Sequence, residues 1–134
     1  MMNSVTQDIA DLLVAAGLGT LGTNLFHPAF GPDDLDVQTM IGSSGGMDAI
    51  PSLSYEQPNF QVMCRGEREG DAMDVYTTIR TIFEYLNNKD RDGEVINGTT
   101  YLGFHPKGNV ASLGMDEHKR YVYTMNFYTF RNPA

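Results

Sequence analysis

The stretch Tyr121–Phe130 (YVYTMNFYTF) restricts the fold more than any other part of the chain. It is aromatic and β-branched along its length, which marks a long strand. One face would carry Tyr121, Tyr123, Met125 and Phe127, the other Val122, Tyr128 and Phe130. A second sheet signal precedes it. Asn97-Gly98 lies between Val95-Ile96 and Tyr101-Leu102, and a type I′ hairpin turn needs two residues that tolerate positive φ. The last third therefore reads as antiparallel sheet.

Upstream, two amphipathic helices can be placed. Ser4 is a good N-cap, Gln7 stands at capping-box spacing, and Val5, Ile9, Leu12, Leu13 and Ala16 form an apolar stripe. Gly17 ends this helix as the left-handed C′ residue, with Leu18 placed to fold back on the last turn. The second helix starts near Asp71 and buries Ala72, Val75, Tyr76, Ile79, Ile82, Phe83 and Leu86, before the polar run Asn87–Gly93. Between them, Asn24–His27, Val37–Ile41 and Phe60–Arg65 read as extended, and Gly42–Ser52 (GSSGGMDAIPS) as a loop by composition. The expectation is one α+β domain over residues 1–134. It would hold a mixed or antiparallel sheet of about four to six strands, with two main helices on one face.

Charge narrows the roles open to such a fold. The 134 residues hold 17 acidic and 9 basic side chains, a net charge of −8. Residues 1–64 contain Asp8, Asp11, Asp33, Asp34, Asp36, Asp48 and Glu56 but no Lys or Arg, so every basic residue lies in the second half. Gripping nucleic acid requires a basic patch to displace counterions from phosphates, and the first half has none. Docking on anionic lipid needs the same clusters. With 41% hydrophobic and 19% charged residues, the chain can bury a core, which speaks against global disorder. A single cysteine, Cys64, leaves no disulfide framework, and a soluble protein made in a reducing compartment is expected. No run reaches the ~18 apolar residues of a membrane span, and the N-terminus has no basic region leading into an apolar one.

Several short motifs imitate chemistry. Gly17-Leu18-Gly19-Thr20-Leu21-Gly22 spells G-x-G-x-x-G, but a dinucleotide site needs a strand before the glycines and a helix after, and here a helix precedes. Asn88-Lys89-Asp90-Arg91-Asp92-Gly93 imitates the start of a calcium loop, but Thr99 stands where the bidentate Glu is required. His27, His105 and His118 show no metal-ligand spacing with one another or with Cys64, which reads as an inert buried thiol. Gly42-Ser43-Ser44-Gly45-Gly46 lacks the Lys of a phosphate loop, and Asn97-Gly98-Thr99 is a formal glycosylation sequon that the hairpin turn already explains. No catalytic residue, cofactor or metal is indicated.

The ordered arrangement of segments resembles the tail terminator proteins of long-tailed bacteriophages, also called minor capsid, tail completion or tail-to-head joining proteins. The resemblance covers most of the chain. It rests on the opening helix followed by GLGTLGTNLF, on YEQPNFQVMCRG leading into VYTTIRTIFEYLN, and on INGTTYLGFHPKGNVASLGMDEHKRYVYTMNFYTFR. The run Gly114-Met115-Asp116-Glu117-His118-Lys119-Arg120 departs from the Gly-Arg-Asp-Glu and following Gly that such proteins often carry before the final strand, so that turn can differ in shape or contacts.

The resemblance implies a non-enzymatic virion protein, assembled in the bacterial host cytoplasm and placed at the head-proximal end of the tail. It would form a homo-oligomeric, hexameric ring that caps the tail tube protein, ends tube polymerisation and meets a head-completion or connector protein. DNA would pass through the ring without specific binding, and no membrane would be involved. A closed ring needs heterologous interfaces. The charge split suggests that Asp33, Asp34, Asp36 and Asp48 of one subunit face Lys107, Lys119 and Arg120 of the next, with Asn109, Asp116 and Glu117 at the same subunit or ring contacts. A monomeric binding adaptor and a small enzyme are the rival readings.

Overall fold

The structure, a computed structural model, describes residues 3–31, 37–50, 55–89 and 93–132, with the backbone alone for 45–50 and 55. The order is α1 (Val5–Ala15), β1 (Leu25–Phe26), β2 (Gln38–Ile50), β3 (Tyr55–Arg65), α2 (Ala72–Asn87), β4 (Glu94–Ile96), β5 (Thr99–Pro106), β6 (Ala111–Met115) and β7 (Tyr121–Arg131). Among the described residues the strands form one sheet in the order β1-β2-β3-β7-β5-β4, with β6 also pairing β7. β1 runs parallel to β2 and the other pairs are antiparallel, so the sheet is mixed.

Local chemistry sets the helix ends. The Ser4 hydroxyl accepts from the Gln7 amide at 3.2 Å, and Asp71 Oδ1 accepts from the Met73 amide at 2.9 Å. At the end of α1 the Gly17 amide donates to the Val14 carbonyl and the Leu18 amide to that of Leu13, with Gly17 at φ 76°. These are the two bonds of a Schellman stop. The G-x-G-x-x-G letters therefore begin as a helix terminator. The Asn97-Gly98 turn has φ of 50° and 80° and joins β4 to β5, as a type I′ hairpin requires.

Both helices cover one sheet face. Phe60, Val62 and Cys64 of β3 point toward them beside Phe127 and Met125 of β7, and Ile9, Leu13, Val75, Ile79, Ile82 and Leu86 fill the layer from the helix side. Phe60 stacks on Phe127 with centroids 5.4 Å apart and meets Phe104 edge-on at 6.1 Å. The alternation expected of the last strand holds, with Phe127 fully buried and Phe130 exposed. Tyr76 departs from expectation: it leans on Tyr123 at 5.6 Å from the rim of the core and is itself exposed.

Among the described residues the strand count is seven, above the expected four to six. Two-residue β1 falls within Asn24–His27, read as extended, and five-residue β6 is the strand that the sequence did not place. Residues Gly42–Ile50, expected as loop, extend β2 instead, and Pro51 and Ser52 lie outside the described residues. Gly and Ser have little strand preference of their own, but β3 offers a ladder partner from Tyr55 to Arg65, and that pairing overrides composition. The glycine-rich stretch carries a register shift between Ser43 and Gly46, and a second shift lies between Met47 and Ile50. β6 likewise carries little strand signal of its own, and β7 supplies the ladder that its Ala-Ser-Leu-Gly-Met sequence does not announce.

Candidate functional site

The surface chemistry concentrates around the turn from β6 into β7. Asp116 Oδ1 accepts from the backbone amides of His118 (2.9 Å) and Arg120 (3.0 Å), while its Oδ2 accepts from Arg120 Nε (2.9 Å) and Nη2 (2.8 Å). One carboxylate thus closes the turn on both backbone and side chain, which lets Lys119 sit at φ 57°. The turn docks on the loop before α2: the Glu69 amide donates to the Lys119 carbonyl at 2.9 Å, and the Gly66 amide to that of Tyr121 at 2.9 Å. Arg68, Glu69, Glu117, His118 and Lys119 line a shallow cleft of about 190 Å³ between them.

Burial raises the Asp116 pKa, but bonds from the Arg120 amide, its guanidinium and the His118 amide outweigh this and leave it below the usual carboxylate value. A folded pKa below the unfolded one contributes stability that is complete above about pH 4 and is lost as pH falls through the depressed value. In an acid titration followed by NMR, the His118 and Arg120 amide shifts are expected to hold until pH drops below that range and then move together. Asp116→Asn should abolish that transition, and an unchanged transition in this variant would refute the assignment.

The residues expected at contacts between subunits are distributed as follows. Asp33, Asp34 and Asp36 lie outside the described residues, and Asp48 is on β2 where only the backbone is described. Lys107 and Asn109 are exposed in the link between β5 and β6; Glu117 and Lys119 are exposed in the β6–β7 turn. Arg120 is buried and bonded to half-buried Asp116 of its own chain, so its charge is engaged internally. Lys107, whose amide donates to the Asn126 carbonyl at 2.8 Å, stands five β7 residues from the Tyr121 end, roughly 17 Å at strand rise. The cations therefore flank β6 at its two ends and do not form one patch.

Two other features stand out. A neutral cleft of about 470 Å³ opens between Gly17–Thr20 with Asn24 and the Thr77, Thr78, Thr81 and Ile82 face of α2. The hydroxyls of Thr78 and Thr81 donate back to the Asp74 and Thr77 carbonyls, so they are engaged within the helix. On the helix-free sheet face, His105 stacks on Tyr128 at 4.9 Å and meets Phe130 edge-on at 6.0 Å. Cys64 is buried with its thiol pushed up to about 12 by desolvation, which Thr39 at 3.3 Å only partly offsets. Among the described residues no three His, Cys, Asp or Glu side chains are placed to hold a metal ion. Asp90, Arg91 and Asp92 of the calcium-like run lie outside those residues.

Sequence reasoning missed a buried polar network that ties both chain ends to the hairpin. The Tyr101 hydroxyl donates to Asp8 Oδ2, and Arg131 Nη1 donates to the Tyr101 oxygen (3.3 Å) and to the Asn3 carbonyl (3.0 Å). Arg131 Nε also pairs with Glu56. Asn97 Nδ2 donates to Asp8 Oδ1 and to Asp11 Oδ2, each at 2.9 Å. One signal was available: Asp8 follows Val5 by three residues and precedes Leu12 by four, so it lies on the apolar stripe, where a carboxylate must be satisfied.

Two helices on one face of a curled mixed sheet, with strand edges left open, define a small α+β domain whose chemistry lies on its surface. The chain belongs to the bacteriophage tail terminator proteins: the family model described as "Bacteriophage tail terminator protein" matches residues 12–131. It is accordingly a structural protein of the phage tail and a virion component, from a family that is not one of enzymes. No individual curated protein matches the chain.

Proposed function

We propose that this protein forms a closed ring, hexameric in the assembled tail, that caps the finished tube, stops further tube addition and presents a surface to the head. Family membership over residues 12–131 is the observation that carries this reading. The sheet adds a geometric reason. β2 is covered by β1 only at Thr39 and Met40, and beyond Met40 no described strand pairs its outer edge. On the opposite side of the sheet, among the described strands β6 pairs only β7, which leaves its outer edge open. Its five residues are all exposed, including Leu113 and Met115.

Open edges are aggregation hazards unless something covers them. Two unlike edges on opposite sides of one subunit suit a heterologous, head-to-tail contact, the kind that closes rings. Lys107 and Lys119, at either end of β6, are exposed cations placed to meet acidic groups of a neighbour near β2, and Lys119 would share its charge with its own Glu69 at 3.8 Å. Such pairs set register and encounter rate more than affinity. The acidic balance of the chain accords with a lumen that lets DNA slide without holding phosphates.

Electron microscopy of tails assembled with and without the protein is the decisive test. Tubes of uncontrolled length and tails without heads are expected in its absence. Tails of normal length that still join heads would refute the proposal.

A further inference from the structure

We propose that Asn97–Gly98 is a self-modification site, held in check by the docking of α1 and converting irreversibly when that docking is lost. The reaction is deamidation. The Gly98 backbone nitrogen, after giving its proton to solvent, attacks Asn97 Cγ; the new C–N bond forms as the Cγ–Nδ2 bond breaks and ammonia leaves. Water then opens the cyclic imide to Asp or isoAsp at position 97, with no change of oxidation state. Gly98 has no side chain to hinder the approach, and both residues are exposed, so water is at hand.

What opposes the reaction is the side-chain clamp. Both carboxylates that hold Asn97 Nδ2, Asp8 Oδ1 and Asp11 Oδ2, come from α1, each at 2.9 Å. They hold the amide to α1, while the turn backbone is set at φ 50° and 80°. Rotation of Cγ toward the Gly98 nitrogen requires both bonds to break. In effect the amide takes the position between two carboxylates that a cation would fill. Once the amide becomes a carboxylate, two donors are gone and a third negative charge faces Asp8 and Asp11. Helix α1 then cannot return to the hairpin, and the modification records its release.

The test follows mass gain at the peptide containing Asn97, in the folded protein at mildly alkaline pH. Wild type is expected to convert far more slowly than the same chain in urea. Asp11→Ala, at a half-exposed position, should raise the folded-state rate about 10–150-fold, the population factor expected from losing one charge-assisted hydrogen bond. Asp11→Asn, whose carbonyl can still accept, should fall between. Equal rates for the folded and unfolded chains, or an Asp11→Ala rate equal to wild type, would overturn the proposal. A separate arm uses Asn97→Asp: amide exchange across α1 should accelerate while α2 stays protected. Unchanged α1 exchange would refute the release step even if the clamp is correct.

Discussion

Phe127→Ala is expected to destabilise the protein by about 3–5 kcal/mol, at the upper end of core truncations. Phe127 is fully buried, stacked on Phe60 with ring planes 6° apart and packed against Phe83 of α2 at 5.7 Å. Its backbone lies between two strands, paired with Phe60 of β3 on one side and with Pro106 of β5 on the other. A main chain held on both edges cannot collapse into the void, so the cavity persists and its cost is fully felt. Urea unfolding measures the loss directly, and Tm should fall by about 10–20 °C for a domain of this size. Tyr128→Ala, one residue along and on the helix-free face, provides the comparison. If both variants lost the same stability, the core would not lie where the stacking places it.

The second large effect is expected from the network under α1. Asp8→Ala should cost about 3 kcal/mol, because the buried Tyr101 hydroxyl and one Asn97 N–H lose their acceptor. Tyr101→Phe makes the converse error by leaving the Asp8 carboxylate buried without that donor. The double variant removes both sides and should be more stable than the sum of the single losses predicts. Strict additivity in chemical denaturation would mean that the two groups do not interact. Tyr101 provides an independent check. Burial and the Asp8 carboxylate raise its pKa, so the stability it contributes is complete below the ordinary tyrosine value and declines as pH rises above it.

These two variants also show what could be read in the sequence and what could not. Phe127 was legible because a strand alternates strictly, so its position relative to Tyr123 and Met125 fixes its face whatever the neighbours are. The caps at Ser4 and Asp71, the stop at Gly17 and the turn at Asn97-Gly98 were legible for the same reason, since each depends on one or two residues nearby. Asp8 with Tyr101 was not, because the partners lie 93 residues apart and only the fold brings them together. β6 and the outer half of β2 failed in the same way. Their Gly and Ser residues carry no strand signal, and what makes them strands is a neighbour the local sequence does not mention. Among the candidate contact residues, composition could locate Arg120 in a basic run. It could not reveal that Asp116 four residues earlier would claim it.

The position of β7 in the sheet has a consequence for how the molecule is made. It is the last described strand in chain order, yet it lies in the middle, with β3 on one side and β5 and β6 on the other. While the ribosome is still at the preceding turn, β3 and β5 have no inner neighbours and the aromatic core lacks Met125 and Phe127. Between completion of β5 and arrival of β7, β1–β3 and β4–β5 are two unjoined pieces with adhesive edges, the condition in which chaperones capture proteins. Closure comes as one late event when the final strand slides between them. The edge of β6, which pairs β7 alone among the described strands, therefore exists only once the central strand has been made.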